Sequence, residues 1–503
     1  MKFNKEKTNY LLLFIFTLLL FLADTINPFA KQLPTHDSSM FLYFGHGMNN
    51  GLTFYSDIFD HKGPILFIFN AIGMFFSPKT TIPTSSEFFN FNFIGVWVLE
   101  LIVVYISLIL IYKTGKLIAS SKTTMIAILT LFPAFVFFLQ KGNYSEVYAI
   151  LFISWSLFYF VKFFYDNENF KNYHWIFIGI AGTCTLLLRF NMIILWVVFL
   201  LVIEFYYVKD KEFSKALQTF LWTTLGVLLV IVPIAIYSIA NGSFSDMIYQ
   251  SFTFNLNYAG TADLSGMINT IGTFAFFSLF SLLPFFAVLY LYTFFKVKTK
   301  NKFEVFFLAY FFLNLVTTIM SGRPYLHYLL TQIPAFVIMI IFSLNYLNDN
   351  LLKDKQKKVL SFLFTSVMVV SCLVVLIIRI IPVNTSYAPE DIDKLDMSTR
   401  IKKLTNPNDE IYAHNVDGTI YLYSDRFSST KYFSLPAMDI DTLPSLKNDF
   451  LTDIKKSEPK VIVIRNELLK SSNKNQTNSL FIEWVISAYS PTYKNETFTL
   501  FTK

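Results

Sequence analysis

Apolar runs of bilayer-crossing length recur from Tyr10 to about Pro382, and nothing else in this chain limits its fold so strictly. A lipid interior offers no hydrogen-bond partners, so only helices and closed barrels can cross it. Runs of roughly 20 residues match the rise of a helix through about 30 Å of hydrocarbon. The sequence therefore reads as a polytopic all-α integral membrane protein. Eleven spans are expected, at 10–30, 88–112, 124–140, 146–165, 174–188, 191–208, 217–240, 269–295, 303–320, 326–347 and 359–382. The 59 phenylalanines and 28 tyrosines suit lipid-facing and interfacial surfaces. Lys2, Lys5 and Lys7 before Tyr10–Phe29 have the outline of a signal peptide. The length of the apolar run favours an uncleaved first span.

Basic residues orient such a bundle, because lysine-rich short loops stay in the cytoplasm. With the N-terminus inside, the inner loops hold nineteen lysines. The outer loops before the tail hold only Lys31, Lys62, Lys79, Lys141, Arg189 and Arg323. The net charge of +7 thus reflects topology and is no nucleic-acid footprint. Pro64–Phe76 is apolar but short for a span, as an interfacial or re-entrant helix would be. Residues 31–87 then form one large outer loop. The expected location is the cytoplasmic (plasma) membrane, multi-pass, with the N-terminus cytoplasmic and the C-terminus extracytoplasmic.

From about Pro382 the composition turns polar, which divides the chain into a membrane domain, 1–382, and a tail, 383–503. Helix-like stretches at 389–404 and 445–456 alternate with strand-like Glu410–His414, Thr419–Tyr423, Val461–Arg465 and Phe498–Thr502. A small extracytoplasmic α/β domain is expected. Cys184 and Cys372 both fall in apolar segments, so neither a disulfide framework nor a cysteine metal site is expected.

Ionisable residues gathered at a bilayer surface point to function, since lipid cannot solvate them. The first outer loop carries His36-Asp37 and then Asp57, Asp60, His61 and Lys62. A carboxylate there can act as a general base toward a hydroxyl, and a lysine can hold a phosphate. Helix capping or lipid-headgroup contact would use the same residue types. Other outer turns hold Lys141, Tyr144 and Glu146; Arg189 and Asn191; and Arg323, Tyr325, His327 and Tyr328. Singly, each suits an interfacial anchor. Jointly, they place anion-binding and acidic groups on one side. Phosphate-loop, dinucleotide and His-Glu-x-x-His motifs are all missing. An outward-facing transferase would need its activated donor delivered as a lipid.

These residues resemble those of the membrane-embedded glycosyltransferases of the GT-C fold. The nearest branch is family 39, which includes the aminoarabinose transferase, the protein O-mannosyltransferases and bacterial cell-surface relatives. Asp37 is followed 25 positions later by Lys62-Gly63-Pro64-Ile65, which opens a short apolar helix. Tyr55–Pro64 is similar to that branch's Tyr-x-Asp…Lys-(Gly/Pro)-Pro pattern. Gly142–Tyr148 resembles its second outer loop, with Glu146 as the acid, and Arg323–Tyr328 its late Arg…His-Tyr motif. The resemblance covers about 1–380. Ser38 follows Asp37 where much of the family has a second acid, so a divalent metal is possible but not supported, and no cofactor is expected.

The resemblance implies transfer from a polyprenyl-phosphate-linked sugar to a hydroxyl of a cell-envelope polymer, lipid or protein, with inversion. Asp37 would be the catalytic base. Lys62, Arg323, His327 and Arg189 would bind the donor phosphate. Glu146, Tyr144, Asp57, Asp60, His61 and Tyr325 would hold acceptor or sugar. The competing readings are a transporter or flippase of lipid-linked sugars and a non-catalytic envelope scaffold.

Overall fold

The computed structural model describes residues 5–83, 87–255, 264–297, 300–348, 354–435, 440–470 and 476–503. Lys2, Lys298 and Lys353, which contribute to the charge bias, lie outside the described residues. The chain divides into two compact units. One joins Met1–Asp24, Glu100–Tyr237 and Ala259–Pro382; the other joins Thr25–Leu99, Ser238–Tyr258 and Val383–Lys503.

Among the described residues, eight helices are long and apolar enough to cross a membrane. A ninth span results if Ser121–Thr130 and Phe132–Leu139, bent by 43°, are taken as one. The bend has a cause: Pro133 sits in the first turn of the second helix. The protein is thus a multi-pass membrane protein. Several expected spans are shorter than the apolar runs suggested. Tyr173–Leu186 and Ile194–Lys209 have 14 and 16 residues and are separated by the Phe190–Met192 turn. The run expected at 269–295 is interrupted at Leu282, which takes a left-handed φ of 53° before Pro284 starts the next helix.

Within the first unit, burial separates enclosed from peripheral helices. Leu326–Tyr346 is almost wholly buried within the protein, whereas Phe213–Ala240 is mostly exposed. A helix that is apolar all round and barely covered by protein is covered by lipid.

The second unit carries a four-stranded sheet among its described residues. Its strands are β1 (Ile411–His414), β2 (Val461–Arg465), β3 (Ser490–Lys494) and β4 (Phe498–Thr502), in the order β1-β2-β4-β3. The β1 and β2 strands run parallel, Ile411 opposite Val461; β2 and β4 run antiparallel, Val461 opposite Thr502. Helices Pro389–Leu404, Pro444–Ser457 and Gln476–Ala488 complete the expected α/β character.

One element differs from expectation. Thr419–Ser424 is a helix, not a strand. Asp417 accepts the Thr419 N–H at 2.9 Å, fixing the helical entry. Every residue of the run is buried, so no alternation revealed its period.

The tail does not build its core alone. Phe59 of the outer loop and Phe254 share one cluster with Tyr412, Phe450, Ile462 and Phe481. Phe59 N–H also donates to the Lys431 carbonyl at 2.9 Å, and Lys31 N–H to that of Val383 at 2.9 Å. The outer loop itself forms two short helices, His36–Asn49 and Pro64–Phe75, which pack through stacked Phe44 and Phe67 at 4.5 Å.

Candidate functional site

In the second unit the Tyr55–Lys62 segment is tied down from several directions. Asp60 Oδ1 accepts the Lys62 N–H at 2.7 Å, and the Tyr55 hydroxyl donates to the Lys62 carbonyl at 2.7 Å. Gly63 then precedes the Pro64 helix, with proline in its first turn where no N–H is needed. Two amide side chains from a distant segment complete the brace. Gln250 accepts the Asp60 N–H at 3.0 Å and donates to the Tyr55 carbonyl at 2.7 Å. Asn255 donates to the His61 carbonyl at 2.7 Å. Lys62 Nζ lies 2.9 Å from His61 Nε2. Asp57 acts locally, for it is exposed, accepts the Thr53 N–H at 2.7 Å and closes the turn.

Asp37 lies in the first turn of the His36–Asn49 helix, where a carboxylate complements the exposed N–H groups. It acts on Asp60 across space. Burial pushes the Asp60 carboxyl up to about 6; Lys62 opposes this, Asp37 adds to it and His36 subtracts. His36, Asp37 and Lys62 thus all act electrostatically on the Asp60 carboxyl. A carboxylate can take a proton and a lysine can hold an anion.

In the first unit, Glu146 is buried and paired. Arg189 Nη1 donates to Glu146 Oε1 at 2.6 Å, and Nη2 to the Tyr328 hydroxyl at 2.8 Å. The guanidinium also lies 4.3 Å from the Tyr328 ring centre. Ser145 donates to the other Glu146 oxygen at 3.0 Å. The carboxylate is thus matched inside the protein. Beside it is a small polar cleft that includes Asn191, Asn314, Thr317 and Thr331. The buried Asn314 Nδ2 and Asn191 Oδ1 have no hydrogen-bond partner among the described residues.

Tyr144, His327 and Tyr325 stack. The His327 ring lies 4.1 Å from Tyr144 at 8° and 5.6 Å from Tyr325 at 13°. Gln140 Oε1 accepts the His327 N–H at 3.0 Å and sits 2.7 Å from its Nδ1. Arg323 lies partly exposed in the turn before this stack.

The turn that supplies Gln140 is strained. Gln140, Lys141, Gly142 and Asn143 have consecutive φ values of 45°, 82°, 86° and 53°. Such backbone persists only when its surroundings fix it. Here Glu100 accepts the Asn143 N–H at 2.8 Å and hydrogen-bonds to Asp24. Gly142 packs on Asp24 so tightly that a Cβ would lie 2.2 Å from its carboxyl carbon.

Sequence reasoning missed Gln250, Asn255, Gln140 and the Asp24–Glu100 pair. No motif signals a single amide or a buried acid; only Gly142 within a polar turn hinted at a special backbone. Among the described residues, no three His, Cys, Asp or Glu side chains gather to hold a metal ion. A separate cleft of about 510 Å³, between Phe163, Trp175, Tyr207, Gln218 and Lys302, contains none of the sequence-predicted residues.

Residues 1–387 match the family described as "Putative competence-induced protein Ccs4 N-terminal domain". Among solved structures, the chain is similar to ArnT from Cupriavidus metallidurans bound to undecaprenyl phosphate. The likeness has a TM-score of 0.62 at 11% identity and covers 98% of both chains. The apo form of that ArnT gives 0.58 at 11% identity, over 99% of this chain and 98% of that one. The Archaeoglobus fulgidus oligosaccharyltransferase tethered to an acceptor peptide gives 0.52 at 11% identity, over 98% of this chain and 74% of that one. No curated protein sequence matches. The fold is therefore the GT-C fold that the outer-loop motifs suggested.

Proposed function

We propose that this chain, which belongs to the competence-induced Ccs4 N-terminal-domain family, is a membrane glycosyltransferase of GT-C architecture. It would move a sugar from a polyprenyl-phosphate donor to a hydroxyl of an envelope polymer, lipid or protein. The observation that carries this reading is the Tyr55–Lys62 segment, in which Asp60 accepts the Lys62 N–H, braced by Gln250 and Asn255, with Asp37 acting electrostatically on Asp60.

In this reading Asp37 takes the proton of the acceptor hydroxyl, whose oxygen attacks the anomeric carbon opposite the phosphate. The carbon–phosphate oxygen bond breaks as the new glycosidic bond forms, so the configuration inverts. Negative charge collects on the departing phosphate, and Lys62 stabilises it there. Arg189, being committed to Glu146 and Tyr328, is better assigned to holding them. Asp57, closing its own turn, is the weakest of the sugar-binding candidates.

Mass spectrometry of envelope polymers with and without the gene tests the proposal. A sugar substituent that disappears with the gene and returns with the wild-type copy supports it and identifies donor and acceptor. An unchanged envelope under conditions where the protein is made speaks against it.

A further inference from the structure

Buried ion pairs stabilise little by themselves, yet they can fix one arrangement among several. In the second unit a network of this kind brackets a single loop. Lys394 and Asp417, with side chains 8% and 4% exposed, pair at 2.6 Å. Lys394 also reaches Glu390 at 3.0 Å. Arg465 grips Glu390 through two nitrogens at 2.7 and 3.2 Å, and its Nε donates to the Asn415 carbonyl at 2.7 Å. The charges answer one another: burial opposes it, but Lys394 holds Asp417 below the usual carboxylate range.

The loop so held meets the helix that carries Asp37. At Gly418 a Cβ would lie 2.3 Å from the Ser39 carbonyl oxygen and 3.1 Å from the Met40 nitrogen. Ser39 is in that helix's first turn and donates its N–H to Thr35 at 2.8 Å. Contacts continue along the same helix. Ser428 N–H donates to the Tyr43 hydroxyl at 3.0 Å, Tyr43 stacks on Phe433 at 4.5 Å, and His46 stacks on Phe427 at 5.2 Å. His36, adjacent to Asp37, acts electrostatically on both Asp417 and Asp60. All these tail residues lie beyond 387, outside the span that matches the family.

We propose that the Asn415–Thr419 loop, locked by the Arg465–Glu390–Lys394–Asp417 network, is a positioning element for Asp37. Through Gly418 it sets the first turn of the His36–Asn49 helix and so the direction of the Asp37 carboxylate. The inference rests on the reading of Asp37 as the base. It gives the tail a role in turnover beyond its share of the core.

The test uses the full-length protein in detergent and reads three quantities. They are hydrogen exchange over 36–44, the kinetics (kcat and KM) with a polyprenyl-phosphate sugar, and thermal unfolding. Gly418→Val is expected to speed exchange in the first turn and lower kcat by about 10- to 100-fold. KM should stay near wild type, while Tm falls, since the new Cβ meets the Ser39–Met40 backbone. Gly418→Ala, the smaller intrusion, should move the same quantities less and is read where valine prevents folding. Lys460→Ala, which breaks the exposed Lys460–Asp409 pair, should change none of them. Unchanged exchange and kcat in the Gly418 variants would overturn the inference, as would a fall in Tm without a kcat effect. Should the wild type transfer no sugar, the catalytic reading fails instead, and exchange alone decides whether the loop sets the helix.

Discussion

Arg189 reaches Glu146 at 2.6 Å while the Glu146 side chain is only 2% exposed, so this carboxylate has its countercharge within the protein. The two groups are 43 residues apart and come from different turns. Removing one partner of such a pair leaves a buried charge. Arg189→Ala should therefore destabilise by about 3–5 kcal/mol. The Glu146→Gln/Arg189→Met double variant should recover most of that loss. Thermal unfolding of the three proteins checks the order; equal stability of wild type and Arg189→Ala would refute the pairing.

Asp60 should respond to pH with a definite sign. Its folded-state carboxyl is raised to about 6 from 3.8, chiefly by burial. The stability it contributes is complete below the unfolded value and is lost as pH rises through about 6. At pH 7.5 Asp60→Asn should thus stabilise the fold, by roughly 1–3 kcal/mol, and near pH 4 the difference should vanish. In the proposed mechanism the same variant should transfer sugar less well. A variant less stable than wild type at pH 7.5 would show that the ionised group is needed for folding.

Gly142 combines a φ of 86° with a Cβ position 2.2 Å from the Asp24 carboxyl carbon. Gly142→Ala should cost about 1–3 kcal/mol and loosen the turn that presents Gln140 and Glu146. Differential scanning calorimetry in detergent measures this directly. A neutral substitution would mean that the turn relaxes without resistance.

Gln250 satisfies two backbone groups of the outer loop at once. Gln250→Leu leaves the Asp60 N–H and the Tyr55 carbonyl unpaired, a cost of about 1–3 kcal/mol. Limited proteolysis should then cut within 53–62 faster than in wild type. Cleavage at the wild-type rate would mean that Gln250 does not brace this loop.

The helical, multi-pass character was legible because the bilayer forces long apolar runs, and strands Ile411–His414, Val461–Arg465 and Phe498–Thr502 because they are apolar and short. Ser490–Lys494 escaped notice: it is a mostly exposed edge strand containing Pro491, permitted only because the edge asks no ladder N–H of it. The outer-loop cluster was legible as a concentration of ionisable residues. Its bracing was not, since Gln250 meets Asp60 across 190 positions and carries no pattern of its own. Glu146 and Arg189 were both visible as ionisable residues in short turns. Their pairing depends on how two turns pack, which periodicity does not encode.

Transfer by purified protein in detergent, with radiolabelled polyprenyl-phosphate sugars and an envelope-polymer acceptor, tests the central claim most directly. Asp37→Asn should lower transfer by about 10²- to 10⁴-fold, with donor binding close to wild type. Full transfer by Asp37→Asn at unchanged donor binding would contradict the assignment of the base.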